Sequence, residues 1–215
     1  APDWRPPWQS LPDDLAERLA PAIPGIMERI IETVPDQIPA YAAARDGHYG
    51  KNLTAGVTTA LEQLMSLPGT TRPALNSESR VLMARLGAGE FREGRSMDAL
   101  LGAYRTSARI VFRELSAECA RLGLEMSVVI ELGESIWAYI DELSSVSAQA
   151  YAEAQSAQAG VLELHRAALA TAAGRAARAA ILVEGRIAHE GPAATLADNP
   201  IVAELYLGAR REPAA

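Results

Sequence analysis

The sequence predicts an all-α protein: a bundle of five or six helices with a small C-terminal appendage of helix, β-hairpin and helix. Two observations predict the bundle. Apolar residues recur at three- and four-residue steps over most of residues 13–158, and Pro- or Gly-rich turns separate these stretches. The appendage is predicted by Ile181–Pro192, which alone has the character of strand, turn and strand. Hydrophobic residues make up 49% of the 215-residue chain, which is enough to form a buried core.

The N-terminal part is expected to begin with an arm and continue as short helices. Residues 1–12 hold four prolines and two tryptophans, which predicts an extended, non-helical arm. Residues 13–34 have helical spacing, and Pro21 and Pro24 are expected to divide them into two helices. Residues 52–67 form another amphipathic stretch, which ends at a Pro/Gly-rich turn.

The middle of the chain contains the most regular helical patterns. Asn76 and Ser77 are candidate N-caps for a helix that we expect to end at Gly87-Ala-Gly89. Ser96 is expected to cap the most regular helix, whose apolar stripe extends through Leu122. A further helix of about 30 residues is expected to start near Ser127, because its apolar residues keep helical spacing.

The pattern changes after Gly160, where a short Ala/Arg helix, the hairpin and terminal helices are expected. We therefore predict three segments: an arm at 1–12, a helical domain at 13–160 and a tail at 161–215. An isolated two-stranded hairpin is marginally stable in water. We expect its apolar side chains to pack against the flanking helices, namely those of Ile181, Val183 and Ile187.

Charge and composition exclude several classes of partner. The formal net charge is −7, which disfavours direct nucleic-acid binding by this chain because phosphate contacts need an excess of basic residues. The single Cys119 cannot form an intrachain disulfide, which favours a reducing cytoplasm. No apolar run approaches the length of about 20 residues that a membrane span requires, so no membrane insertion is expected.

The sequence carries no catalytic constellation and predicts no metal site or cofactor. The glycines of residues 87–94 lack the spacing of a dinucleotide loop, and Lys51 lacks the residues of a phosphate-binding loop. The three histidines have no metal-ligand spacing. Asp141 and Glu142 are adjacent on a helix, so their carboxylates point in different directions and no nucleophile accompanies them. The chain is therefore expected not to be an enzyme.

One part of the chain resembles a known family of regulatory domains. Four segments carry the likeness in order: "VPDQIPAY", "NLTAGVTTALEQL", "LGAGEFREGRSMDALLGAYRTSARIVFREL" and "WAYIDELSSVSAQAYAEAQ". Through them, residues 12–158 resemble the helical N-terminal domain of actinobacterial PucR-type transcription regulators, which is related in name to the N-terminal part of RsbT co-antagonist proteins. The resemblance implies a sensory or protein-interaction module upstream of a helix-turn-helix DNA-binding domain. After Gln158 this sequence departs from the family pattern and does not continue into that domain.

The tail is similar to a different family. The segment "HRAALATAAGRAARAAILVEGRIAHEGPAATLADNPIVAELYLG" resembles the extreme C-terminus of branched-chain amino-acid ABC transporter ATPases. That likeness implies a short helix, a strand pair and a final helix. The phosphate loop, the signature motif and the acidic strand end of such ATPases are absent from this sequence, and a tail without them cannot hydrolyse ATP.

The leading hypothesis is a non-catalytic regulatory domain of the PucR type that lacks its DNA-binding domain and binds a small-molecule effector or a protein partner. The Ala-rich end of the long helix permits close approach of two copies, which favours a homodimer. The alternatives are a remnant or accessory ATP-binding subunit of an ABC importer and a globin-like haem sensor. Residues expected to line the core or a ligand pocket are Tyr104, Phe112, Trp137 and Tyr139, with Arg105 and Arg109 at its rim. For the row Arg105, Arg109 and Arg113, a solvated face is favoured over an anion site.

Overall fold

The computed structural model describes residues 5–45, 48–175, 178–183, 186–192 and 195–196, and within these it leaves out the side chains of residues 43–45, 48–53, 168–175, 178–183 and 186–189. The chain divides into two compact units, residues 1–154 and 155–215. The prediction of an all-α fold is confirmed. The helices are α1 (Leu15–Leu19), α2 (Ile23–Gln37), α3 (His48–Met65), α4 (Ser77–Arg92), α5 (Met97–Arg121) and α6 (Met126–Arg175).

The N-terminal arm is not purely extended, as the sequence suggested, because Pro7–Ser10 forms a turn of 3₁₀-helix. Pro7 suits this position, since the first residues of a helix need no N–H donor. Trp8 is buried, its Nε1 donates a hydrogen bond to the carbonyl oxygen of Arg72 at 3.0 Å, and its own carbonyl accepts one from the Gly69 amide at 2.9 Å. The indole therefore anchors the arm to the loop before α4. Trp4 lies outside the described residues.

The predicted division of residues 13–34 is confirmed. A 3₁₀ turn, Ala20–Ala22, contains Pro21 and separates α1 from α2, and Pro24 lies in the first turn of α2. Helix α2 buries Ile26, Ile30 and Val34, which are four residues apart and so lie on one face. That face packs against α3 and α5.

Both predicted N-caps before α4 and α5 are confirmed. The Asn76 side chain accepts a hydrogen bond from the amide of Ser79 at 2.8 Å, and Ser96 Oγ accepts one from the amide of Ala99 at 3.2 Å. Each cap satisfies an N–H group that has no partner within its helix. The predicted apolar stripe of α5 is largely buried, including the side chains of Leu100, Ala108, Val111, Leu115 and Cys119.

Helix α4 does not end at Gly87-Ala-Gly89, where the sequence suggested a turn, but continues to Arg92. The turn comes at Gly94, whose φ of 72° lies in the left-handed region that favours glycine. Gly87 serves packing instead: a Cβ atom on it would lie 2.1 Å from the carbonyl oxygen of Ser147 on α6. The glycine is needed for the close approach of two helices.

Helix α6 spans 50 residues, considerably more than the sequence suggested. It continues without a break through Gly160, so the separate Ala/Arg helix expected after that residue is part of α6. The three-segment domain division, with its boundary near residue 160, stays a prediction.

The predicted hairpin is present as β1 (Arg178–Val183) and β2 (Arg186–Pro192), paired antiparallel. The register shifts between Ile181, which pairs with His189, and Leu182, which pairs with Ile187. The side chains of Ile181, Val183 and Ile187 lie outside the described residues, as does nearly all of the segment for which terminal helices were predicted. No helix in the described part of the chain is long and apolar enough to cross a membrane.

Candidate ligand-binding cavity

A cavity of about 640 Å³ lies inside the first unit. Helices α2 to α6 all contribute to its wall, which is mainly aliphatic because their apolar faces converge there. The aliphatic lining includes Val34, Leu61, Leu86, Leu100, Val111 and Leu143. Apolar pockets with a few placed polar groups are the usual form of small-molecule sites.

A buried ionic cluster forms the inner polar part of the wall. Glu90 on α4 is only 4% exposed. Its carboxylate accepts hydrogen bonds from the Tyr41 hydroxyl at 3.0 Å and from Arg95 at 2.6 and 3.0 Å. The Arg95 guanidinium also lies 5.6 Å from the centre of the Tyr41 ring, a cation–π distance. Burial of the Glu90 charge is therefore compensated by bidentate pairing.

The same cluster is connected to α6. The carbonyl oxygen of Arg95 accepts a hydrogen bond from the Tyr151 hydroxyl at 3.2 Å. The Tyr151 ring packs edge-on against Phe91, with ring centres 5.4 Å apart. A movement of the Glu90–Arg95 pair would therefore change the contacts of Tyr151.

Two tyrosines contribute further hydroxyl groups beside the cavity. Ser147 Oγ donates to the carbonyl of Met83 at 3.2 Å, so the Tyr104 hydroxyl is the donor in its 2.9 Å bond to Ser147 Oγ. Burial raises the pKa of Tyr104 to about 12; the hydrogen bond to Ser147 opposes this rise and the Glu90 charge adds to it. The Tyr139 hydroxyl donates to the carbonyl of Ala60 at 2.8 Å, and burial raises its pKa as well. Both phenols are neutral at physiological pH.

Exposed charged residues line the cavity at its mouth: Arg85 and Arg92 of α4 and Glu93, which directly follows α4. Arg85, Gly89 and Arg92 all belong to the lining, and both arginines are exposed. A Cβ atom on Gly89 would meet nothing within 4 Å, so the space between the two arginines is open. Arg92 Nε donates to the carbonyl of Ala88 at 3.2 Å. Among the described side chains, neither guanidinium pairs with a carboxylate.

The aromatic residues suggested by the sequence separate into two groups. Tyr104 and Tyr139 line the cavity. Phe112 and Trp137 do not, and their expected place in the core or pocket wall is wrong, because they are 38% and 55% exposed. The Phe112 ring lies against Gly133 of α6, where a Cβ atom would approach its Cε2 to 3.0 Å.

The arginines suggested for the rim lie elsewhere. Arg105 makes a 3.6 Å contact with Asp98 at an exposed position. Arg109 donates to Gln37 at 3.4 Å and to Thr106 at 3.3 Å. Neither residue is part of the cavity lining.

Sequence reasoning missed Tyr41, Glu90 and Arg95, which form the inner cluster. A signal for Glu90 was available: Met83, Gly87 and Glu90 share one helical face, so a carboxylate falls on a face that is otherwise buried. No comparable signal exists for Tyr41, which pairs with Glu90 across 49 residues of chain. Among the described residues, no group of three His, Cys, Asp or Glu side chains could hold a metal ion.

A comparison with protein families identifies the family of the helical part of the chain. The model of the PucR-like N-terminal domain matches residues 8–172. The chain belongs to this family. The PucR-like domain is a regulatory domain and not a known enzyme family.

The match confirms the first of the two resemblances and ends before the hairpin. The likeness of the tail to ABC transporter ATPases stays a prediction. Neither the curated proteins nor the solved structures give a match.

Proposed function

We propose that this PucR-like domain is the non-catalytic sensory domain of a PucR-type transcription regulator and binds a small-molecule effector in the cavity between α2 and α6. One observation carries the proposal: a cavity of about 640 Å³ whose apolar wall contains a few polar groups that are already paired. Its volume falls within the range of about 300–1,000 Å³ typical of ligand pockets. No contact among the described residues favours the ABC-subunit or haem-sensor alternative over this one.

The proposed signal passes from the cavity to α6. Residues Ile136, Tyr139, Ile140 and Leu143 of α6 line the cavity directly. A second connection runs from Glu90 through Arg95 to Tyr151. An effector that binds one arrangement of these contacts better than another shifts the population toward it. Transcription is then controlled through an attached or associated partner in the cytoplasm and not by direct DNA contact of this chain, whose net charge is −7.

Binding can be tested with the neutral fluorescent probe N-phenyl-1-naphthylamine, whose emission rises in apolar surroundings. We expect saturable binding by the full chain. Ala103→Leu should weaken it, because Ala103 lines the cavity and a larger side chain would occupy part of the space. Ala117→Leu is the matched control, since Ala117 lies exposed on the same helix. Equal binding by both variants, or none by the unaltered chain, would overturn the proposal.

Transmission can be tested by hydrogen exchange with and without the same probe. We expect slower amide exchange near Tyr151, which contacts the Arg95 carbonyl but is not itself part of the cavity lining. Tyr151→Phe removes that hydrogen bond and should weaken the effect without preventing probe binding. Protection confined to the cavity-lining segments would contradict the proposed route through α6.

A second candidate role, homodimer formation, is favoured by an exposed apolar stripe. Met126, Ile130 and Trp137 lie on one side of α6, and all three are more than half exposed. Phe112 of α5 extends this surface, because its ring lies against Gly133, one turn before Trp137. Contiguous exposed apolar surface of this kind typically marks an interaction site.

Charge complementarity supports a second copy of the chain as the proposed occupant of the stripe. Exposed acids of α6, Glu134 and Asp141, lie at three- and four-residue steps from Ile130 and Trp137. Exposed basic residues of α5, Arg109 and Arg113, lie close in sequence to Phe112. A two-fold axis through the stripe can bring the acids of each copy close to the arginines of its partner. The apolar residues of the two copies then meet at the centre.

The proposed dimer can be tested by measuring the molecular mass with light scattering as the protein elutes from a size-exclusion column. Trp137→Ser should shift the mass toward the monomer by removing the central aromatic group. Val81→Ser is the matched control, because Val81 is 50% exposed on α4, away from the stripe. A monomeric unaltered chain, or equal dissociation by both variants, would contradict a dimer at this surface.

A further inference from the structure

Basic side chains outnumber acidic ones at the mouth of the cavity, where Arg85 and Arg92 are exposed together with Glu93, whose carboxylate is paired with Arg95. Arg85, Gly89 and Arg92 follow one another at four- and three-residue steps, so they lie on one side of α4. Gly89 has nothing within 4 Å of the position its Cβ would take. Two arginine side chains therefore lie on either side of an open position, where the helix carries a glycine.

The inner end of the cavity has the opposite character. Glu90 is buried there, and its negative charge contributes to the raised pKa of Tyr104. Arg95 is engaged by both Glu90 and Glu93, the latter at 2.6 Å. A ligand anion placed at this end would have to displace a carboxylate from Arg95. An anion at the mouth displaces none of the described carboxylates.

The volume limits the size of the occupant. At about 30 Å³ per water-sized atom, a cavity of about 640 Å³ holds roughly 20 non-hydrogen atoms when filled completely. A two-chain lipid is too large. A molecule with a single acyl chain or a small ring system fits, with its apolar body against residues such as Leu61, Leu86 and Leu143.

We propose that the effector is a small amphipathic carboxylate whose carboxyl group lies at the mouth between Arg85 and Arg92 and whose apolar body fills the cavity. The proposal rests on the proposed function, because it names the ligand class of the same cavity. Arginine suits this role, since its planar guanidinium presents paired donors to a carboxylate. The exposure of both arginines leaves their guanidinium groups accessible to an arriving anion.

The test is displacement of N-phenyl-1-naphthylamine by three probes that share the octyl chain length and differ in the head group: octanoate, 1-octanol and octylammonium. We expect octanoate to displace the dye at a concentration about tenfold lower than octylammonium does. A difference of this size corresponds to the affinity gained from one charge-assisted contact. The double variant Arg85→Gln/Arg92→Gln should remove most of the octanoate advantage and leave displacement by 1-octanol within about twofold.

The matched control is Arg105→Gln/Arg113→Gln. It removes the same charge from exposed positions of α5 that do not line the cavity. It should leave the octanoate advantage intact, which separates a local contact from a general effect of net charge. If octanoate and octylammonium displace the dye equally, or if both double variants act alike, the carboxylate assignment is overturned while the cavity remains a ligand site. If the dye does not bind at all, the proposed function fails with it.

Discussion

The two sides of α4 differ in nearly every respect although they belong to the same helix. On the inner side, Gly87 lies against the backbone of α6 and Glu90 is buried in an ion pair. On the outer side, Gly89 has open space beside it, and Arg85 and Arg92 are exposed. Successive residues of a helix are rotated by about 100° around its axis, so residues close together in the sequence lie on different sides. The cavity lies between them.

This difference explains how one helix can both maintain the fold and contribute exposed residues to the proposed binding site. The inner contacts are close and specific, so changes there should cost stability. The outer residues are exposed, so changes there should affect the proposed binding and leave stability nearly unchanged. Substitution of equivalent residues on the two sides tests this division directly.

The largest difference in stability is expected between two single variants, each of which replaces an arginine on one side of the helix. Arg95→Met leaves the buried Glu90 carboxylate without its bidentate partner, and breaking such a pair costs about 3–5 kcal/mol. Arg92→Met removes an exposed side chain and should change the free energy of unfolding by less than about 0.5 kcal/mol. Urea denaturation of the two variants measures both. Similar losses would mean that the inner ion pair does not stabilise the fold.

The next effect concerns the inner glycine. A Cβ atom at residue 87 would lie 2.1 Å from the Ser147 carbonyl oxygen, so Gly87→Ala must separate α4 from α6. We expect a loss of about 1–3 kcal/mol, the usual cost of overpacking, despite the better helix propensity of alanine. The Tyr104–Ser147 hydrogen bond should lengthen with it. Thermal unfolding of Gly87→Ala that matches the unaltered chain would contradict the close approach of the helices.

A smaller effect is expected from the pH dependence of stability. Tyr104 has a pKa of about 12 in the fold, above its ordinary value of 10.0, so the folded state holds this proton more tightly than the unfolded state. Its contribution is complete below pH 10 and is lost as the pH rises toward 12. The slope approaches about 1.4 kcal/mol per pH unit for one such group. In Tyr104→Phe, the free energy of unfolding should fall less steeply over this range, and parallel curves would refute the assignment.

The sequence predicted the parts of this fold that depend on local pattern. The cap at Ser96, the buried stripe of α5 and the hairpin each follow from residues close together in the chain. The predicted end of α4 was wrong because the glycine at residue 87 was interpreted as a helix stop. Its role is to allow close contact with the backbone of Ser147, which lies 60 residues away in the sequence. Trp137 illustrates the same limit, since helical spacing identifies a stripe but not whether a neighbouring helix covers it.

The cavity site was less predictable than the fold, for the same reason. Tyr104 and Tyr139 could be named because aromatic residues on apolar faces tend to be buried. The Glu90–Arg95 pair depends on the position of the turn at Gly94, which was expected five residues too early. A cavity formed by five helices depends on how the helices pack together, and that packing cannot be read from the periodicity of any one of them.

The smallest effect, and the only one expected to be favourable, concerns the outer glycine. Gly89→Ala adds a methyl group where nothing lies within 4 Å and replaces a residue that disfavours helices. We expect a gain of about 0.5–1 kcal/mol in the free energy of unfolding, measured by urea denaturation. The same methyl group narrows the gap between Arg85 and Arg92, so octanoate should displace the dye less well while 1-octanol is affected little. A loss of stability in this variant would mean that the outer side of α4 is packed as closely as the inner side, and the contrast between the two sides would then fail.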